Sequence, residues 1–71
     1  MPKLPVVSGK QCCKALGKLG FEKARQNGSH VVMRRGESGC VVPMHREIKT
    51  GTLAGLLKQA GVTAEQFIPA L

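Results

Sequence analysis

The sequence predicts a small α+β domain: a helix, a three-stranded antiparallel sheet, a second helix and a short third one. Three observations carry this. Apolar residues recur at helical spacing in two stretches, residues 12–19 and 53–60. Between them lie three short strand-like runs, set apart by the glycine-bearing turns Asn27-Gly28 and Gly36-Glu37-Ser38-Gly39. A chain of 71 residues has room for one core, so residues 1–71 are expected to form a single domain.

Residues 1–7 include Pro2 and Pro5 and are expected to be an extended lead-in. Ser8-Gly-Lys-Gln11 has the form of a capping box, in which the serine hydroxyl and the glutamine side chain satisfy each other's backbone N–H groups. Cys12, Cys13, Leu16 and Leu19 give the first helix its apolar side, and Gly20 is placed to end it in a left-handed turn. Lys10, Lys14 and Lys18 fall four residues apart and line one outer stripe. Residues 21–26 read as the first strand, with Phe21, Lys23 and Arg25 on one face. Asn27-Gly28 signals a two-residue hairpin into a second strand, residues 30–35. If Val31 and Met33 face the core, then His30, Val32 and Arg34 face out. The third strand, residues 40–43, ends at or runs along an edge, because Pro43 cannot donate to a ladder. After a basic loop, Thr50 or Thr52 is expected to cap a second helix whose stripe is Leu53, Leu56, Leu57 and Ala60, stopped by Gly61. Thr63-Ala-Glu-Gln66 repeats the capping-box pattern before a last helical turn. A three-stranded meander of this kind buries one face under both helices and leaves the other in water. That is the layout of a double-stranded RNA-binding domain.

Charge narrows the function classes. Eleven Lys and Arg face four acidic residues, a net charge of +7, which favours a polyanionic or acidic partner. No apolar run approaches the roughly 20 residues that span a bilayer, and the N-terminus lacks the apolar length of a signal peptide. No membrane association is expected, and the expected compartment is the cytoplasm. Cys12, Cys13 and Cys40 match neither a zinc knuckle nor a redox motif and are expected to be buried, reduced thiols. No metal or cofactor is expected, because the two histidines and scattered cysteines show no ligand spacing and no phosphate-binding glycine loop is present.

The most pointed candidate is Gly28-Ser29-His30, which delivers one imidazole to a strand beside Arg25, Arg34 and Arg35. Histidine is the side chain that most readily exchanges protons near neutral pH, so among cations it is suited to proton transfer on a polyanion. The competing reading is an exposed hairpin histidine with no chemistry. His45, in the loop with Arg46 and Lys49, is the second imidazole. It can pair with His30, hold phosphate, or shape the loop before the second helix.

Five stretches in order carry a family likeness: Leu16-Gly-Lys-Leu-Gly-Phe21, Gly28-Ser29-His30, Val42-Pro-Met-His45, Gly51-Thr-Leu53 and Leu57-Lys-Gln-Ala-Gly61. The chain resembles the HicA toxins, small messenger-RNA interferases of bacterial type II toxin–antitoxin pairs, over about residues 8–62. The resemblance implies a fold like the double-stranded RNA-binding domain, metal-independent endoribonuclease activity on mRNA, and neutralisation by a HicB-like antitoxin. It makes His30 the single catalytic histidine. Arg25, Ser29, Arg34, His45, Arg46 and Lys49 are the candidate RNA-binding residues around it. Met33 stands where members often carry Tyr or Phe, so RNA contact is expected to rest on charge and on arginine planes. The chain has no Asp, and its four Glu lie away from His30 in sequence, so a carboxylate-oriented triad is not expected. Two other readings compete: an RNA-binding module with the fold but no chemistry, and a protein-interaction domain whose basic face meets an acidic partner.

Overall fold

The structure, a computed structural model, describes residues 3–71; Met1 and Pro2, the start of the expected lead-in, lie outside the described residues. The elements are α1 (Gly9–Lys18), β1 (Glu22–Asn27), β2 (His30–Arg35), β3 (Ser38–Pro43), α2 (Thr50–Ala60) and α3 (Ala64–Phe67), with a final 3₁₀ turn over Ile68–Ala70. The sheet order is β1-β2-β3, antiparallel throughout. This is the α+β, double-stranded RNA-binding-domain-like layout that the sequence predicts.

Local chemistry sets the boundaries. Ser8 and Gln11 form the reciprocal capping box at the start of α1, with bonds of 2.9 and 3.0 Å. At its end the Gly20 N–H reaches the Gly17 carbonyl and the Phe21 N–H reaches Leu16, the paired bonds of a Schellman stop. Gly61 and Val62 make the same pair of bonds on Lys58 and Leu57 to end α2. Thr63 and Gln66 form the second capping box. No threonine caps α2: Thr50 is already its first helical residue, and Lys49 occupies the cap with no side-chain bond.

The core lies between the helices and one face of the sheet. Val31, Met33, Cys40 and Val42 supply the sheet side; Cys12, Leu16, Leu53, Leu56, Leu57 and Phe67 close it from the helices. No charged or polar side chain is buried among the described residues. Phe21 and Phe67, the only aromatic residues, are both inside. Phe21 precedes β1 rather than opening it, and the Arg35 guanidinium lies 4.7 Å from its ring centroid while donating to the Leu19 carbonyl at 2.7 Å. Arg35 therefore clamps the end of α1 to the sheet, away from His30.

The sequence pattern misses a β-bulge in β1. Lys23 pairs with Met33 and Arg25 with Val32, leaving Ala24 as the extra residue. A bulge reverses the facing of the residues beyond it. Lys23 thus shares the helix-side face with Met33, whereas Arg25 is turned to the open face with Val32, correcting the expectation that the two point the same way. β3 is also longer than expected, because the second turn is the two residues Gly36-Glu37 and Ser38 already pairs with Arg35.

All three thiols are covered to some degree: Cys12 and Cys40 are buried and Cys13 is half-buried. Burial, reinforced by the neighbouring thiols, pushes Cys12 up to about 12 and Cys40 to about 11. Burial raises Cys13 too, with the Lys23 ammonium pulling it back. A raised thiol pKa leaves little thiolate, the reactive form, at neutral pH. Iodoacetamide at neutral pH is therefore expected to modify Cys13 first and to reach Cys12 and Cys40 only after unfolding. Mass spectrometry of the native and urea-unfolded protein checks this; equal labelling of all three in the native state would contradict the packing.

Candidate functional site

Four pieces of backbone meet at one end of the sheet. The β1–β2 hairpin closes with Asn27 opposite His30, so its two loop residues are Gly28 and Ser29, one position later than the Asn-Gly pair suggests. Gly28 has φ +60° and Ser29 does not share that sign, the pattern of a hairpin turn that wants glycine first. The ladder between β2 and β3 continues past the strands: the Met44 N–H donates to the Ser29 carbonyl at 2.6 Å. The Gly9 N–H, at the first turn of α1, donates to the His45 carbonyl at 2.9 Å. Farther along, the Ile48 N–H donates to the Val7 carbonyl at 2.7 Å, pinning the loop before α2 to the chain before α1.

Gly9 makes this junction possible. A Cβ there would collide with the Pro43 carbonyl oxygen and lie 2.7 Å from Met44 Cα. The glycine in Ser8-Gly-Lys-Gln11 lets α1 start directly against the loop that carries His45. The residue pattern of that stretch signals only a capping box. The Cys13 thiol, 3.9 Å from the Met44 sulfur, packs the same loop from the next turn of α1.

His30 opens β2 opposite Pro43, exposed. Its register puts it on the open face with Val32 and Arg34. Arg25, turned by the bulge, joins that face opposite Val32, about 7 Å along the strand direction from His30. Arg34 shares the face but lies four residues along β2, about 13 Å away. Ser29 acts through its carbonyl, holding Met44. His45 and Arg46 are exposed in the loop after β3, and Lys49 is exposed at the start of α2. The structure thus brings His30, Ser29 and His45 to one end of the sheet and Arg25 onto the same face, and leaves Arg34 at the far end. The Lys10, Lys14 and Lys18 stripe is exposed on α1. Among the described residues, no three His, Cys, Asp or Glu are grouped to hold a metal ion, and no helix is long and apolar enough to cross a membrane.

Fold and site together define a class: a small basic α+β domain with one exposed hairpin imidazole on an arginine-bearing sheet face. The family model for the HicA toxin of bacterial toxin–antitoxin systems matches residues 9–62. The chain belongs to that family. No curated protein and no solved structure matches it.

Proposed function

We propose that this toxin is a metal-independent endoribonuclease that cuts mRNA through His30 and is held inactive by a HicB-like antitoxin. The observation that carries the reading is the exposed His30 ring at the junction of hairpin, loop and α1, on the face shared with Arg25. The neutral imidazole takes the proton of a ribose 2′-hydroxyl. That oxygen attacks the adjacent phosphorus, the bond from phosphorus to the 5′-oxygen breaks, and the leaving oxygen receives a proton from the imidazolium or from water. Arg25 on the same face, and His45, Arg46 and Lys49, exposed in the loop after β3 and at the start of α2, are the donors assigned to hold the phosphate and offset the charge that builds on it. Arg34 reaches the backbone farther along the strand. The site is an open surface, so an inhibitor can act by covering it.

Cleavage of single-stranded RNA by the purified protein in excess EDTA tests the reading. RNA that is bound but left intact would instead favour a binding module. Binding is expected to be strongly salt-dependent. Four phosphates neutralised on a single strand give a log–log slope of about −3, or roughly 50-fold weaker binding between 50 and 200 mM salt. A fluorescence-anisotropy titration reads the slope; one near zero would remove the charge-based account of RNA contact.

A further inference from the structure

The sheet has two edges, and they are built differently. β1 carries Glu22, Lys23 and Arg25 and a bulge, the devices that discourage another strand from pairing. β3, Ser38-Gly-Cys-Val-Val-Pro, has no charge, and its pairing with β2 runs without a register shift.

Its free backbone groups can be assigned. The Met44 N–H bonds to the Ser29 carbonyl, so that pair is a hydrogen-bonded one, and antiparallel pairs alternate. Ser38, Cys40 and Val42 therefore bond inward to β2, while Gly39, Val41 and Pro43 direct their backbone groups outward. Pro43 lacks an N–H and falls at an outward position, as that alternation requires. The edge thus offers N–H and C=O of Gly39 and Val41, closed at one end by Pro43. Beside it lies a groove of about 310 Å³ lined by Val32, Arg34, Glu37, Gly39, Cys40, Val41 and, from α2, Gln59. Val41 is 45 % exposed there.

Gly39 shapes this groove by close approach. A Cβ on it would stand 3.4 Å from Arg34 Cγ and 3.1 Å from the Met33 carbonyl oxygen. Arg34, paired with Gly39 across the ladder, lines the groove from β2. The edge therefore combines two outward peptide groups, an aliphatic side chain and a guanidinium, with the Glu37 carboxylate at the turn end of the same groove.

We propose that the β3 edge is a docking site for an extended acidic segment of a protein partner, which adds as a fourth strand. Peptide groups of Gly39 and Val41 give its backbone bonds. A carboxylate residue facing Arg34 and an aliphatic residue two positions along, against Val41 and Val32, give its specificity. Charge selects the occupant. A second copy would set +7 against +7, and RNA has no alternating donors and acceptors to match a strand edge. The surface shares Val32 and Arg34 with the face that carries His30 but lies along the β3 edge toward the far end of the sheet from that junction, and the inference does not depend on the ribonuclease reading.

The test uses the full chain, nitrogen-15 labelled, and the peptide acetyl-Thr-Glu-Thr-Val-Thr-amide at millimolar concentration. The expected result is shifted Gly39 and Val41 amides whose hydrogen exchange slows about tenfold, roughly the worth of one backbone hydrogen bond. Val41→Pro removes an outward N–H without touching the β2 ladder and is expected to abolish the effect while the circular dichroism spectrum stays unchanged. If that variant fails to fold, Val41→Lys, which charges the edge, is expected to do the same. Unperturbed Gly39 and Val41 amides at saturating peptide would overturn the proposal. So would equal protection by a lysine-for-glutamate peptide, by an RNA oligonucleotide, or by self-association of the free protein.

Discussion

Replacing His30 by alanine is expected to lower RNA cleavage by about 10²–10⁴-fold, the usual contribution of one positioned acid–base group, and to relieve the growth arrest expected when the toxin is expressed alone. The loss is chemical rather than structural. His30 is exposed at a strand end, its side chain takes part in no hydrogen bond among the described residues, and the ladder at that position is backbone. Surface substitutions of this kind change stability by about 0.5 kcal/mol or less, so the variant is expected to melt with the parent. Its RNA affinity is also expected to hold within a few-fold, because the proposed phosphate contacts are spread over several cations. Loss of cleavage with retained melting and binding is the signature; a variant that cuts RNA at the parent rate would remove His30 from the mechanism.

The largest structural effect is expected at Gly9. Its missing side chain is where Pro43 and Met44 pass, and those are backbone atoms that cannot swing aside. Gly9→Ala must push the loop away from α1 and break the bond from the Gly9 N–H to the His45 carbonyl. Overpacking against rigid neighbours costs about 3 kcal/mol. Domains of this size seldom have more than about 3–5 kcal/mol in hand, so the variant is expected to sit near its unfolding midpoint at growth temperature. The same shift pulls Met44 from Ser29, next to His30, so cleavage should fall even at temperatures where the variant is folded. Urea denaturation and low-temperature RNA cleavage, measured together, check both halves. A parent-like denaturation midpoint with parent-like activity would mean that the loop accommodates a methyl group and that the junction is looser than its geometry.

Much of the molecule is legible in its residues, for identifiable reasons. Helical periodicity places Leu16, Leu53, Leu56 and Leu57 in the core, and the spacing of Ser8 and Gln11 and of Thr63 and Gln66 marks both capping boxes. The alternation of β2 puts Val31 and Met33 inside and His30 and Arg34 on the open face. The features that escape the sequence depend on partners distant along the chain. The bulge at Ala24 arises from how β1 registers on β2, and no glycine or proline marks it, so simple alternation assigns Arg25 to the wrong face. Gly9 is constrained by atoms more than thirty residues away. By sequence Arg35 belongs to the cationic setting of His30, yet it is drawn to Leu19 and Phe21 on the other side of the sheet. The capping of α2 fails as an expectation because either threonine satisfies the local pattern, while the tie between Ile48 and Val7 shows where the chain is pinned just ahead of the helix.

The most direct test of the central claim compares two oligonucleotides of one sequence, RNA and its fully 2′-O-methylated form, incubated with the protein in EDTA. If His30 removes a ribose 2′-proton, the RNA is cut to fragments ending in a 2′,3′-cyclic phosphate and a 5′-hydroxyl, and the methylated strand stays whole. Cleavage of both strands at similar rates, or RNA fragments carrying a 5′-phosphate, would contradict it.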